Sequence, residues 1–270
     1  MDNRPIGVFD SGLGGLSAVR EIRSILPCEN IIYFGDTSRV PYGGRSKEIL
    51  LKYARQDVRF LRSFDIKAIV VACGTVSTTA LPELKKENDL PILGVVEPAC
   101  RRAVKLSRSK RVGLIATSAS VRSGTYERTI HAIDPEIEVI GKACPLFVPL
   151  VENGRYRPGD CVIETVAREY LEPLRETGID TLILGCTHYP LLTEIIGKIM
   201  GPEVELINAG AEAAWELKRT LTGGELLAQE RCGEVAFYAS DRPADFGVLA
   251  GQFLQEDVSG AVLPVNIDQY

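Results

Sequence analysis

Nine short apolar runs recur along the chain and constrain its fold more than any other feature. They are IGVFDSG, NIIYFGDT, AIVVACGT, ILGVVEP, RVGLIATS, VIGKACP, TLILGCTH, VELINAG and VAFYASD. Their apolar residues follow one another instead of alternating with polar ones, which is typical of parallel strands buried on both faces. The sequence therefore predicts nine strands in mainly parallel sheets.

The segments between these runs carry apolar residues three and four positions apart, the spacing of amphipathic helices. The predicted helices are 16–25, 48–63, 97–107, 120–132, 160–176, 191–200 and 211–221. Strands that alternate with helices predict a doubly wound α/β architecture.

Two segments of the chain are alike and indicate two related domains. FDIKAIVVACGTVS carries Cys73, and TGIDTLILGCTHYP carries Cys186 at the matching point. The length of 270 residues also exceeds the usual size of one domain, about 100–200 residues. We expect two pseudo-symmetric α/β domains, residues 1–96 plus 208–270 and residues 97–207, with the active site in the cleft between them.

Cys73 and Cys186 each follow an apolar run, so both thiols are expected at the carboxyl end of a buried strand, where ligands of open α/β sheets bind. A free cysteine is commonly a small core residue, but two at equivalent strand ends favour a functional pair. Thiols on either side of a bound molecule would suit a reaction in which a proton leaves one face and returns on the other. The remaining cysteines lack this placement and are interpreted as structural: Cys28, Cys100, Cys144, Cys161 and Cys232.

Asp10 lies where the first predicted strand runs into a turn rich in glycine. Gly12, Gly14 and Gly15 would let backbone N–H groups approach a carboxylate or phosphate closely. Their spacing is neither that of a dinucleotide-binding motif nor that of a P-loop. Asp10 itself could take part in the chemistry or cap the turn.

His188 stands two residues after Cys186, at the same predicted strand end. A protonated imidazole would favour the thiolate, and a neutral one would serve as its proton partner. The two cysteines, His188 and Asp10 could also ligate a metal, but the C-T-H spacing is not a typical zinc pattern. We therefore predict no metal site.

Composition argues against several classes of protein. A formal net charge of −5 with scattered Lys and Arg indicates no nucleic-acid partner. No apolar stretch approaches the roughly 18 residues of a membrane-spanning helix, and the N-terminus lacks the features of a signal peptide, so we expect no membrane contact and a cytoplasmic location. Seven cysteines without a C-x-x-C pair indicate reduced thiols.

Seven segments, in order along nearly the whole chain, resemble the glutamate racemase family. They are VFDSGLGGLS, YFGDTSRVPYGGRS, VVACGT, PILGVVEP, VGLIATSAS, CPLFVPLVENG and LGCTHYPLL. The resemblance implies a racemase that needs no cofactor, takes glutamate as its substrate in a cleft between two α/β domains, and usually forms a homodimer. It also implies a role in supplying D-glutamate for bacterial peptidoglycan.

The resemblance further implies roles for individual residues. The family's catalytic thiols correspond to Cys73 and Cys186, and its acid–base helpers to Asp10, Glu152 and His188. Its substrate contacts correspond to Asp10, Ser11, Tyr42, Gly43, Gly74, Thr75, Thr187 and His188, with Thr117 and Ser118 as further candidates.

Two positions depart from the family pattern. Gly74 stands where the family usually has asparagine after the first cysteine, so an amide that would contact the substrate is absent and the backbone N–H remains as a donor. The chain also reads Asn208-Ala209-Gly210 where the family often has an Asp-Ser pair.

Two thiols would solve the geometry of inverting a carbon whose proton is only weakly acidic. One thiolate removes the proton, the opposite thiol donates another, and the roles exchange with the configuration of the substrate. A thiol with a pKa of about 8.5 needs neighbours that favour its thiolate. Asp10 is the expected partner of Cys73, and His188 with Glu152 that of Cys186.

Three other functions stay open from the sequence. A racemase of another acidic amino acid, such as aspartate, would use the same chemistry. A thiol redox protein would use the cysteines differently, and a non-catalytic two-lobed protein would bind a small ligand without turnover.

Overall fold

The computed structural model describes residues 2–228, 232–258 and 260–270. These residues form the strands β1 (Ile6–Asp10), β2 (Ile31–Gly35), β3 (Ala68–Val71), β4 (Ile92–Gly94), β5 (Arg111–Ala116), β6 (Glu138–Ala143), β7 (Thr181–Leu184), β8 (Glu205–Asn208), β9 (Val235–Ala239) and β10 (Val262–Pro264). Each of the nine predicted runs contains a strand, so that prediction is confirmed. β10 was not predicted; it ends in Pro264, and proline argues against a strand except at the edge of a sheet, where β10 lies.

The helices alternate with the strands. They are α1 (Leu16–Ile25), α2 (Lys47–Leu61), α3 (Gly74–Thr79), α4 (Leu81–Glu87), α5 (Val96–Leu106), α6 (Ser118–Arg122), α7 (Thr125–Ile133), α8 (Phe147–Glu152), α9 (Cys161–Arg175), α10 (Thr193–Met200), α11 (Ala209–Gly223) and α12 (Pro243–Leu254). The single helix predicted over 120–132 is wrong, because Gly124 adopts a left-handed φ of 63° and separates α6 from α7.

The strands form two sheets in which all described pairings are parallel. The first sheet has the order β10-β9-β2-β1-β3-β4, and the second has the order β6-β5-β7-β8. The doubly wound α/β prediction is confirmed. Strands β2-β1-β3-β4 and β6-β5-β7-β8 follow the same order, so the likeness of the two cysteine segments reflects a repeated arrangement.

Helices cover the first sheet on both faces. Along β1, Val8 belongs to one buried cluster with Leu16 of α1, whereas Phe9 belongs to another with Leu50 of α2. Neighbouring strand residues point to opposite faces, which explains why these runs are continuously apolar. Burying each such side chain contributes about 1.5–3 kcal/mol.

Among the helices formed by the described residues, none is both long enough and apolar enough to cross a membrane.

Candidate active site

A cavity of about 720 Å³ opens where the carboxyl ends of the two sheets meet. Every residue that the sequence analysis assigned to catalysis or substrate binding lines it: Asp10, Ser11, Tyr42, Gly43, Cys73, Gly74, Thr75, Thr117, Ser118, Glu152, Cys186, Thr187 and His188. Because the carboxyl ends of parallel strands share one edge of a sheet, residues far apart in the chain converge there.

The two thiols reach this cavity from different sheets. Cys73 follows β3 of the first sheet and precedes α3, and Cys186 follows β7 of the second sheet. Their exposed fractions are only 4% and 9%. Each thiol stands two residues after its strand, which is why the chain repeats the same pattern at both places.

The surroundings of Cys73 favour the neutral thiol. Its Sγ lies 3.8 Å from Ser11 Oγ. Burial and then the charge of Asp10 raise the pKa of Cys73 to about 12, although hydrogen bonds from the Val76 and Ser11 N–H groups and from the Ser11 hydroxyl act in the opposite direction. Asp10 was expected to help form the Cys73 thiolate, but in this structure its negative charge disfavours a second one nearby.

The turn after β1 binds the protein's own carboxylate. The N–H groups of Gly12 and Gly15 donate to Asp10 Oδ2 at 3.1 and 3.0 Å. These donors were expected to face an anionic ligand, and at these two positions that expectation is wrong. Asp10 Oδ1 is buried and accepts no hydrogen bond from the part of the chain described, and burial raises the pKa of Asp10 against the charge of His188.

Cys186 lies beside a histidine–carboxylate pair. His188 Nδ1 is 3.9 Å from Cys186 Sγ, and His188 Nε2 is 3.0 Å from Glu152 Oε1 at the end of α8. Burial would lower the pKa of His188, but the hydrogen bonds to Cys186 and Glu152 outweigh it and raise the pKa to about 10. At neutral pH the ring is therefore a cation that donates from both nitrogens.

Hydroxyl groups connect the two sheets across the cavity. Thr75 Oγ1, after β3, lies 3.1 Å from Thr117 Oγ1, after β5. Thr117 Oγ1 also accepts from the N–H of Ser120 at 3.3 Å and caps α6. These hydroxyl groups could donate to a bound carboxylate.

A buried charge cluster supports the loop that carries Tyr42 and Gly43. Arg39 Nε donates to Asp36 Oδ2 at 2.6 Å, and Arg39 Nη2 donates to Asp57 Oδ1 at 3.2 Å. The Tyr42 hydroxyl donates to both carboxylates. Burial and then the charge of Asp36 raise the pKa of Asp57 well above its ordinary value, so Arg39 offsets repulsion between two buried acids.

The cavity also contains residues that the sequence analysis did not assign to it. They are Val40, Pro41, Gly44, Arg122, Cys144, Pro145, Val148, Pro149 and Gly185. Cys144 was interpreted as purely structural, but it lines the cavity directly after β6. Its place after an apolar run is the signal that could have identified it. For Arg122 the signal is the candidate contact Ser118, which stands four residues earlier and therefore on the same face of a helix.

Within residues 2–228, 232–258 and 260–270, no three or more His, Cys, Asp or Glu side chains are grouped so that they could hold a metal ion.

Comparisons with known proteins show which family this chain resembles. The family model of Asp/Glu/hydantoin racemases matches residues 35–217. A glutamate racemase of Geobacter metallireducens is 47% identical over 252 residues, which cover 93% of each chain. A glutamate racemase of Thermoanaerobacter pseudethanolicus is 42% identical over 270 residues, the whole of both chains.

Solved structures show the same likeness. A glutamate racemase of Bacillus anthracis superposes with a TM-score of 0.93 at 37% identity and 98% coverage of each chain. A glutamate racemase of Francisella tularensis, in complex with D-glutamate, superposes with a TM-score of 0.92 at 39% identity and 100% coverage of each chain. An aspartate racemase of Picrophilus torridus, with a TM-score of 0.58 and 19% identity, is alike in fold alone. The matched length and the full-length relatives show that this chain belongs to the Asp/Glu/hydantoin racemase family.

Proposed function

We propose that this protein is a glutamate racemase that interconverts L- and D-glutamate without a cofactor, with Cys73 and Cys186 as its two bases. The observation that carries the proposal is that both thiols line one cavity and come from two different sheets. Full-length relatives named glutamate racemase support the choice of glutamate as the substrate. Aspartate is not favoured, because the aspartate racemase is similar only in fold.

The two thiols have different neighbours. The cationic His188 lies beside Cys186 and can donate to its sulfur. Cys73, whose pKa is raised to about 12, keeps its proton. For the enantiomer whose Cα–H faces Cys186, Cys186 is therefore the base and Cys73 the acid.

Substrate binding prepares the opposite direction. The unpaired Oδ1 of Asp10 is the acceptor for the ammonium group of glutamate. This pairing offsets the negative charge that raises the pKa of Cys73, so the Cys73 thiolate becomes easier to form once substrate is present. The two directions use the same chemistry, because each turnover protonates the thiolate that acted as the base and deprotonates the thiol that acted as the acid.

The carbanion-like transition state places negative charge next to the α-carboxylate. Hydroxyl donors at Ser11, Thr75 and Thr117 line the cavity where they can bind carboxylate oxygens. Donors held in place before the reaction stabilise such charge strongly in a cavity shielded from water.

Chiral chromatography of reactions started from pure L-glutamate or pure D-glutamate tests the proposal. Both should reach the same racemic mixture without pyridoxal phosphate, and incubation in deuterium oxide should place deuterium at Cα. L-Aspartate should stay unchanged. Tight binding of glutamate without inversion or exchange would contradict the proposed activity and favour a binding protein instead.

Further expectations belong to the same proposal and await measurement. We propose that the domains are residues 1–96 plus 208–270 and residues 97–207, which is consistent with the two sheets. A homodimer, a cytoplasmic location and a supply of D-glutamate to peptidoglycan stay predictions from the family resemblance.

A further inference from the structure

Two glycines that follow strands of the first sheet, Gly14 after β1 and Gly74 after β3, lie close to the segment that carries Cys186. We define this segment, Gly185–His188, as the Cys186 loop. A Cβ atom on Gly74 would lie less than 3.0 Å from the carbonyl oxygen of Gly185, and one on Gly14 would lie less than 3.0 Å from both Thr187 Oγ1 and His188 Nδ1. Real Cβ atoms essentially never approach another atom so closely, so neither position has room for a side chain.

The obstacle at Gly74 cannot rotate away, because it is a backbone oxygen. The Cys186 loop is also held in place: Ser17 Oγ of α1 donates to the carbonyl oxygen of Thr187 at 2.8 Å. A side chain at position 74 would therefore have to separate the ends of β3 and β7 rather than displace one flexible group.

The obstacle at Gly14 is the imidazole that adjoins Cys186. His188 hydrogen-bonds Glu152 through Nε2 and approaches Cys186 through Nδ1. A side chain at position 14 would push the ring away from one of these partners, and with it the positive charge that stabilises the Cys186 thiolate.

We infer that Gly14 and Gly74 are positioning residues: Gly74 sets the distance between the two thiols by letting the Gly185 carbonyl lie against it, and Gly14 leaves room for the His188 ring beside Cys186. The inference rests on the proposed racemisation, which needs both thiols at one α-carbon. Cys73 directly precedes Gly74, and Cys186 directly follows Gly185, so whatever separates Gly74 from Gly185 also moves the thiols apart. Position 74, where the family usually has asparagine, thus holds a residue without a side chain next to that carbonyl.

Two reactions with different geometric demands test this inference. Racemisation needs both thiols, whereas elimination of HCl from 3-chloroglutamate needs only one. In the elimination a thiolate takes the Cα–H proton, the C–H electron pair forms a Cα–Cβ double bond, and chloride leaves Cβ. The resulting enamine tautomerises and is hydrolysed by water to 2-oxoglutarate and ammonium.

We expect Gly74→Ala and Gly74→Asn to lower kcat/KM for racemisation about 100-fold, since a misplacement of about 1 Å has an effect of that order. Elimination from the better-processed enantiomer of 3-chloroglutamate should keep most of its rate. Gly14→Ala should lower elimination as well, but only for the enantiomer that uses Cys186. Gly223→Ala is the control, because its added Cβ would meet no atom within 4 Å.

Crystal structures of the wild-type protein and Gly74→Ala give a second readout, independent of turnover. The distance between Cys73 Sγ and Cys186 Sγ should be longer in the variant. An unchanged distance, wild-type racemisation by Gly74→Asn, or equal losses of racemisation and elimination in the Gly74 variants would each overturn the inference. If the wild-type protein itself inverts neither enantiomer of glutamate, the proposed function is wrong instead.

Discussion

His188 donates from Nε2 to Oε1 of Glu152 at 3.0 Å, and this contact connects α8 to the reactive sulfur of Cys186. The other ring nitrogen faces that sulfur at 3.9 Å. The ring of Phe253 on α12 packs edge-on against the imidazole with centroids 5.6 Å apart, so three contacts set its orientation. Glu152 thereby supports the charge next to Cys186 through the histidine between them.

Removing either thiol should abolish racemisation. We expect Cys73→Ala and Cys186→Ala each to lower kcat by about 100- to 10,000-fold or more, because each removes one of two required proton carriers. Each variant should still eliminate HCl from one enantiomer of 3-chloroglutamate. Polarimetry measures racemisation, and Cys161→Ala, which alters an exposed thiol, is the control. Normal racemisation by either active-site variant would exclude the two-thiol mechanism.

Removing the charge of Glu152 should move the alkaline limit of activity. Glu152 contributes to the raised pKa of His188, so Glu152→Gln should let the imidazole lose its proton at lower pH. In the direction that uses Cys186 as the base, the alkaline limb of the kcat/KM profile, which lies near pH 10 in the wild-type protein, should move down by about one pH unit, with little change in kcat/KM at pH 8. The pH profile of kcat/KM measures this shift, and a profile that merely scales down without moving would contradict the assigned role.

The same histidine should make folding stability depend on pH. The pKa of His188 rises from 6.5 to about 10 on folding. Its stabilising contribution is therefore complete below about pH 6.5 and is lost as the pH rises through about 10. Tm should fall more steeply between pH 7 and pH 10 in the wild-type protein than in His188→Asn. His131→Asn, which changes a histidine outside the cavity, should keep the wild-type slope.

Arg122 should raise the affinity for the doubly carboxylated substrate. It is exposed and, among the described residues that line the cavity, it alone is a lysine or arginine. We expect Arg122→Ala to lower kcat/KM about tenfold, mainly through KM, with a weaker dependence on salt. Arg122→Lys should retain most of the activity. Arg128→Ala, on the neighbouring helix and outside the cavity lining, is the control, and equal effects of the two alanine variants would refute this role.

Arg39 should be important for stability. Its replacement by methionine would leave Asp36 and Asp57 buried without their common cation, which costs about 3–5 kcal/mol in the free energy of unfolding. Arg55→Met removes an exposed pair with Glu87 and should cost no more than about 1 kcal/mol. Urea denaturation compares the two variants, and similar losses would show that the cluster around Arg39 does not behave as a buried pair.

Local patterns in the sequence predicted much of the fold. Continuous apolar runs predicted nine strands because strands covered on both faces have no polar side. The repeated cysteine at two strand ends predicted a thiol pair because the ends of parallel strands meet at one edge. The break at Gly124 and the strand β10 were missed, since a single left-handed residue leaves no periodic signal and Pro264 argues against a strand.

Parts of the site depend on residues that are distant in the chain. Arg122 and Cys144 enter the cavity only because α6 and β6 pack beside β5. The effect of Asp10 on Cys73 is a second example. Burial and then the charge of Asp10 raise the pKa of the Cys73 thiol, whereas the sequence analysis expected Asp10 to help form the thiolate.

The sequence by itself determined which residues end the buried strands, because burial on both faces requires apolar runs and places polar or reactive residues after them. The tertiary structure alone decided how near the two halves of the site come. That distance depends on the contact of Gly74 with Gly185 and of Gly14 with His188, and packing between residues so far apart in the chain leaves no periodic or local pattern in the sequence.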